Sequence, residues 1–145
     1  MCESDDEEIK REEMRKEAER VINMQQTLVS FLNQENQDID EISKSFKSNP
    51  TVIPFLNDND SIRQLLWTLN IFLRNRPKNS DIYLRILKDL IPEIQKNEIK
   101  VVQIFSIFLH PKFNNFAAVD LFFENNVITI FDILIMFMPT IGYLD

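Results

Sequence analysis

The stretch DSIRQLLWTLNIFLRNRPKNSDIYLRILKDLIP (residues 60–92) decides the fold class. Ile62, Leu65, Leu66, Leu69, Phe72 and Leu73 recur every three or four residues, the spacing that lines one face of an α-helix. Asp60 is placed to cap that helix. Asn75-Arg76-Pro77 closes it, because the residue before a proline is driven out of the helical region. Asn79 then caps a second helix carrying Ile82, Ile86, Leu87, Leu90 and Ile91 inward, and Pro92 is expected to break or tighten its last turn. Two amphipathic helices joined by so short a turn pack antiparallel.

The same grammar extends in both directions, with no strand-like alternation to compete. Towards the N-terminus, Ser4-Asp5-Asp6-Glu7 forms a capping box and sets acids at the positive end of a helix dipole. Glu7–Arg11, Glu12–Lys16, Glu13–Lys16 and Glu17–Arg20 have the spacing of intrahelical ion pairs. Met14, Ala18, Val21, Met24, Leu28 and Leu32 add an apolar stripe, so one helix is predicted over 5–32, polar in its first half and docked in its second, with Asn33 as its stop. Asp38 and Glu41 form a second capping box before Ile42 and Phe46. Pro50 and Pro54 then leave room only for a turn holding Phe55 and Leu56.

Towards the C-terminus, Asn97 precedes Ile99, Val102, Phe105, Ile107, Phe108 and Leu109, which end before Pro111. Asn115 starts a helix with Val119, Phe122 and Phe123, stopped by Asn125-Asn126, and Thr129 caps the last helix with Asp132 three residues on. There are 14 Asn and a single glycine, Gly142, so asparagine takes over the helix-end role usually filled by glycine. Helix starts recur about every 14–22 residues, and a pair approximates the period of stacked helical repeats. The expected fold is all-α: a long N-terminal helix followed by stacked short antiparallel helix pairs, α-solenoid-like, with an irregular helical bundle as the alternative. Residues 1–20 form an acidic, solvent-exposed helix start, and 21–145 form a single helical domain.

Charge and rare residues exclude much. The chain has 145 residues and a net charge of −7, of which residues 1–20 carry nine acids and five bases. Such a chain repels phosphate backbones, so no nucleic-acid partner is expected. One glycine cannot build a phosphate cradle or a nucleophile elbow. His110 closes a helix in Leu109-His110-Pro111, where imidazole can meet the last carbonyls, and no second His stands by to complete a metal site. Cys2 is the sole cysteine, which excludes an internal disulfide and suits a reducing compartment. Asp120, Glu124 and Asp132 lie among apolar residues but fit water-facing or first-turn positions, and the alternating acids and glycine of a calcium loop are missing. Arg74, Arg76 and Lys78, with Arg85 and Lys88 beyond, read as surface decoration, and Trp67 and Tyr83 as core. No catalytic, cofactor-binding or metal-binding residue is therefore assigned, no cofactor or small-molecule substrate is expected, and the protein is read as no enzyme.

One segment stands out. Val127 to Met138 is interrupted only by Thr129 and Asp132, too short an apolar run to span a bilayer and best explained as a buried helix. Yet it is apolar all round, where the end of a helical stack needs a polar face, so a partner is expected to cover it. Phe131, Ile133, Leu134, Ile135, Phe137 and Met138 are the candidate partner-binding residues. The acidic first helix is a solvent-facing extension or a second partner site.

Two passages suggest a family. Asn75-Arg76-Pro77 to Ile91-Pro92, followed by Leu121-Phe122-Phe123-Glu124-Asn125-Asn126-Val127-Ile128-Thr129-Ile130, resembles the helical N-terminal region of ankyrin-repeat proteins abundant in trichomonad protists. The similarity spans about residues 24–138, and no ankyrin repeat follows within the sequence. It implies an intracellular interaction protein or a shortened relative, with no catalytic residues to carry over. The resulting expectation is a cytoplasmic, non-enzymatic protein-interaction or scaffold domain, binding a protein partner or itself. The alternative is a peripheral membrane protein that inserts its apolar C-terminal helix; the absence of a Lys/Arg-rich polar face counts against that, and membrane association is not expected.

Overall fold

The computed structural model describes residues 2–33, 38–75, 80–112 and 114–144, with side chains described except at 2–4, 73–75, 137 and 139–144. These residues fold into α-helices and one 3-10 turn, with no strand among them: α1 (Cys2–Leu32), α2 (Ile39–Ser48), the 3-10 turn Ile53–Leu56, α3 (Asn59–Asn75), α4 (Ser80–Lys96), α5 (Val101–Phe108), α6 (Phe116–Glu124) and α7 (Ile130–Leu144). The chain is all-α, as its periodicity predicts.

Contacts run between alternate helices. α1 packs on α3, α3 on α5 and α5 on α7, while α2 packs on α4 and α4 on α6. The two rows join where α3 meets α4 and α5 meets α6. The shared core includes Met24 and Leu28 of α1, Ile42 and Phe46 of α2, Leu65, Leu66 and Leu69 of α3, Ile86, Leu87 and Leu90 of α4, Ile104 and Phe108 of α5, and Phe122 of α6. Edge-to-face rings tie α1 to α2 (Phe31–Phe46, centroids 5.7 Å) and α5 to α6 (Phe108–Phe122, 5.2 Å).

Helix α1 starts at Cys2, ahead of the predicted Ser4 cap, and its exposed half is longer than the stripe suggests. Residues 5–19 are exposed, including Met14 and Ala18, so the docked face begins at Val21 and gains Phe31. Burial needs a neighbour, and α1 reaches past the helix it packs on. Of the anticipated ion pairs the structure forms Glu17–Arg20, whereas Arg15 bridges Glu12 and Glu19. The hydrogen bond from Arg15 holds the Glu12 carboxyl below its usual pKa. While paired with Glu17, Arg20 also reaches inward, its guanidinium 4.1 Å from the Phe55 ring centre and hydrogen-bonded to Ser61 Oγ.

Several helix ends differ from expectation, for local reasons. Asp58, not Asp60, caps α3: its carboxylate accepts from the Ser61 N–H at 2.8 Å and from the Ser61 hydroxyl at 3.0 Å. These two bonds pull the Asp58 carboxyl below its usual pKa, the backbone one most strongly. Asp60, inside the first turn, pairs with Arg63. Pro92 does not end α4, which runs on to Lys96; the proline lies on the exposed side. Asn97 does not open α5 either. Its side chain donates to Glu93 O (2.8 Å) and Leu56 O (3.0 Å), which fastens the end of α4 to the 3-10 turn. Helix α5 begins at Val101, where Gln103 Oε1 accepts the Lys100 N–H at 3.0 Å. This shift turns Val102 outward and buries Ile104 in its place.

Asp38 and Asn115 cap their helices as predicted, and Asn79, the predicted cap of α4, lies outside the described residues. The Asp38 side chain accepts the Asp40 N–H at 3.0 Å, and Asn115 Oδ1 accepts the Ala118 N–H at 3.2 Å. Two helices end in Schellman turns. At α4, Ile99 N–H reaches Ile94 O and Glu98 sits at φ 55°; at α6, Val127 N–H reaches Phe122 O and Asn126 sits at φ 58°. Asparagine is suited to that left-handed position, whereas glutamate holds it against a steric cost of roughly 1 kcal/mol.

Where the rows meet, the interior is polar. Asn115 Nδ2 donates to Asn70 Oδ1 and to Tyr83 Oη, each at 2.9 Å, and Asn70 Nδ2 donates to Ile107 O at 2.9 Å. One buried network thus links α3, α4, the end of α5 and the start of α6. Burial pushes the Tyr83 hydroxyl far above the ordinary phenol pKa, opposed by the Asn115 bond. Among the described residues, every buried side-chain nitrogen and oxygen has a hydrogen-bond partner. The asparagines therefore avoid the penalty of unsatisfied burial.

Candidate interaction surface

Helix α7 is positioned before it begins. After the Schellman turn at Asn126, Ile128 is buried and donates its N–H to Phe122 O at 3.3 Å, which pins the connection to α6. Thr129 and Asp132 then form a reciprocal cap. The Thr129 N–H and hydroxyl donate to Asp132 Oδ2 at 2.8 and 3.0 Å, and the Asp132 N–H donates to Thr129 Oγ1 at 3.3 Å. The one charged side chain of α7 is thereby occupied with its own helix start. The helix extends to Leu144 and includes Pro139 and Gly142.

What α7 presents is apolar. Phe131 is 76% exposed, Met138 61%, Ile135 60% and Leu134 53%. The expectation of a buried helix is therefore overturned: α7 touches α5, and most of its described surface faces outward. Of the predicted partner-binding residues, the structure brings Phe131, Leu134, Ile135 and Met138 together as an exposed surface. Ile133 is half-buried and faces inward, and the Phe137 side chain lies outside the described residues. Ile130 (72% exposed) flanks this surface, whereas Met136 lies on the side of the helix that borders α5. They were detectable from the all-round apolarity of 130–138, but membership depends on which side meets α5, a tertiary fact.

Beside this ridge lies an open groove of about 430 Å³ between the start of α5 and α7. Ile99, Val101, Val102, Val127, Ile135 and Met136 give it apolar walls, and Lys100 and Asp132 are its charged lining residues. Val102 is half exposed there, a consequence of the shifted start of α5. A second groove, of about 500 Å³, lies between α1 and α3, with Ile22, Val29, Ile71 and Phe72 against Gln25, Gln26 and Thr68. Neither groove contains a nucleophile–base pair or converging carboxylates.

The remaining candidates are dispersed. His110 follows α5, its Nδ1 accepting the Lys112 N–H at 3.2 Å and its ring meeting Trp67 edge-on at 5.3 Å. Asp120 and Glu124 are exposed on α6, while Asp132 is the cap. Arg85 pairs with Asp40 at 2.7 Å and Asp89 at 3.3 Å, which lowers its availability to an anion. The side chains of Cys2, Arg74, Arg76 and Lys78 lie outside the described residues. Among the described residues, no group of three or more His, Cys, Asp or Glu could hold a metal ion, and no helix is long and apolar enough to cross a membrane.

No family model matches the chain, no curated protein matches it, and no solved structure matches its fold. The surface geometry therefore carries the functional argument.

Proposed function

We propose that this chain is a non-enzymatic protein-interaction or scaffold domain whose docking surface is the outward face of α7. The observation that carries this reading is the exposed row of Phe131, Leu134, Ile135 and Met138 on a helix whose own charge is spent on its cap. Large apolar side chains clustered on one face mark interaction sites, whereas singly scattered ones do not. Phe131, Leu134 and Met138 also follow the i, i+3, i+7 spacing by which one helix engages another protein. The packing of alternate helices supports the stacked-pair architecture, and a stack left open at one end exposes such a helix. The proposal extends to a cytoplasmic adaptor related to the helical regions that precede ankyrin arrays, which rests on the sequence resemblance.

A photo-crosslinking residue in place of Leu134 tests it. Illuminated with cell extract or with the purified chain, it should form adducts with protein, while the same residue in place of exposed Lys44 on α2 should not. Adducts formed only with added lipid vesicles would favour the peripheral-membrane alternative. No adduct of any kind overturns the docking role.

A further inference from the structure

The face of α7 has one further property: it suits a copy of itself. We infer that α7 pairs with α7 of a second copy of this chain across a two-fold axis, through Phe131, Leu134, Ile135 and Met138. This inference rests on the docking role of α7 and names its occupant.

The first support is area. The exposed parts of Phe131, Leu134, Ile135 and Met138, which share one face of the helix, amount to about 500 Å². A two-fold contact uses the same patch twice, giving up to about 1,000 Å², the threshold for a specific interface. A single α7 face thus suffices for a weak, concentration-dependent dimer.

The second support is charge. Two chains of net charge −7 repel, and self-association is possible only where the acids are remote from the contact. Here they are. The acidic half of α1 begins the row α1–α3–α5–α7, so two helices separate its body from α7. At 8–10 Å per helix contact that is about 25 Å, several times the screening length at physiological salt. Asp132, the charged residue of α7 itself, lines the α5–α7 groove with its carboxylate already hydrogen-bonded to Thr129. An anionic membrane, by contrast, would face an acidic protein whose α7 carries no Lys or Arg.

The third support is pattern. Phe131, Leu134 and Met138 alternate three and four residues apart, the seam spacing of paired helices, and Ile135 widens the seam on one flank. The same stripe on a second copy supplies the matching knobs and holes in either direction of the chain. Ile135 and Met136 also border the α5–α7 groove, so side chains of the incoming α7 have a recess to enter.

The test is sedimentation equilibrium on the purified full chain between about 1 and 100 µM, a span that brackets a micromolar dimer. The chain should sediment as a dimer at the upper end. Leu134→Glu should weaken dimerisation at least about a hundredfold, with helical circular dichroism unchanged, because each copy would bring an unpaired carboxylate into the contact. Ile9→Glu, at an exposed position of α1, should leave it unchanged. A wild-type chain that stays monomeric at 100 µM overturns self-pairing, as does a Leu134→Glu chain that dimerises normally. If such a monomer still crosslinks at Leu134 to a different protein, the docking role of α7 survives and only the identity of the occupant falls. If it crosslinks to nothing, both fall.

Discussion

Two regions of this molecule place residues against their usual preference, and they do so in opposite ways. Where α3, α4, α5 and α6 meet, three polar side chains, Asn70, Tyr83 and Asn115, are nearly or fully buried. On α7, Phe131, Ile130 and Met138 are largely exposed. The first departure is complete in itself, since Asn115 serves as donor to two partners while its own oxygen caps α6. The second is incomplete, because water makes no compensating contact with an apolar ridge. A buried polar group with every partner in place stabilises and specifies the arrangement of its neighbours. An exposed apolar row specifies something outside the chain. The contrast teaches that hydrophobicity alone would mislead about which region is the core fastening and which is the open edge.

The largest effect should come from breaking the polar junction. Asn115→Ala removes the cap of α6 and leaves Asn70 Oδ1 and the Ala118 N–H without their partner. The expected loss is about 3 kcal/mol, the sum of a cap and a stranded buried group, or about 10 °C in Tm for a chain of this size. Asn115→Asp sharpens the result, because it keeps the capping oxygen and removes both donors. Denaturant titration should show Asp losing much of what Ala loses. Full retention in the Asp variant would mean that the cap, and not the linkage of four helices, is what Asn115 contributes.

The junction should also respond to alkali. Unfolded Tyr83 ionises near pH 10, whereas in the folded protein burial holds its pKa far higher. A group with a raised folded pKa contributes stability that is present below the unfolded value and is lost as pH rises beyond it. Above about pH 10 the unfolded state is therefore favoured by up to roughly 1.4 kcal/mol per pH unit. Tyr83→Phe should flatten this part of the pH–stability curve while lowering stability modestly at neutral pH, by about 1 kcal/mol for the lost hydrogen bond. An equally steep alkaline fall in the Phe variant would show that another group governs it.

The two regions were unequally legible in the sequence. The α7 row is visible because Ile130 to Met138, apart from Asp132, is apolar in every direction, a pattern that no packing partner within the chain can use completely. Asn115 was recognised as a cap, which it is, but its two donor bonds depend on α3 and α4, far away in sequence. Asn70 lies four residues after Leu66, on the inward stripe of α3. A polar residue at an inward position was the available signal. The misplaced starts of α3 and α5 share another cause. Asp58 and Asp60 are both competent caps, and Asn97 can close one helix as readily as open the next. Local chemistry offers these alternatives with similar energies, and packing of the following apolar stripe chooses between them.

The smallest effect should come from the edge, and it completes the comparison. Phe131→Ser deletes a large aromatic ring, a change that in a core would cost several kcal/mol. At 76% exposure the ring gives up little on folding, so the stability of the isolated monomer should change by no more than about 0.5 kcal/mol. The measurement belongs in dilute solution, where self-pairing contributes nothing to the folded state. Repeating it at high concentration separates the two origins of stability. A cost that grows with concentration belongs to the contact between copies, because mass action stabilises whatever the dimer buries. A cost that is large and independent of concentration would place Phe131 in the fold itself, and the distinction between a closed polar junction and an open apolar edge would no longer hold.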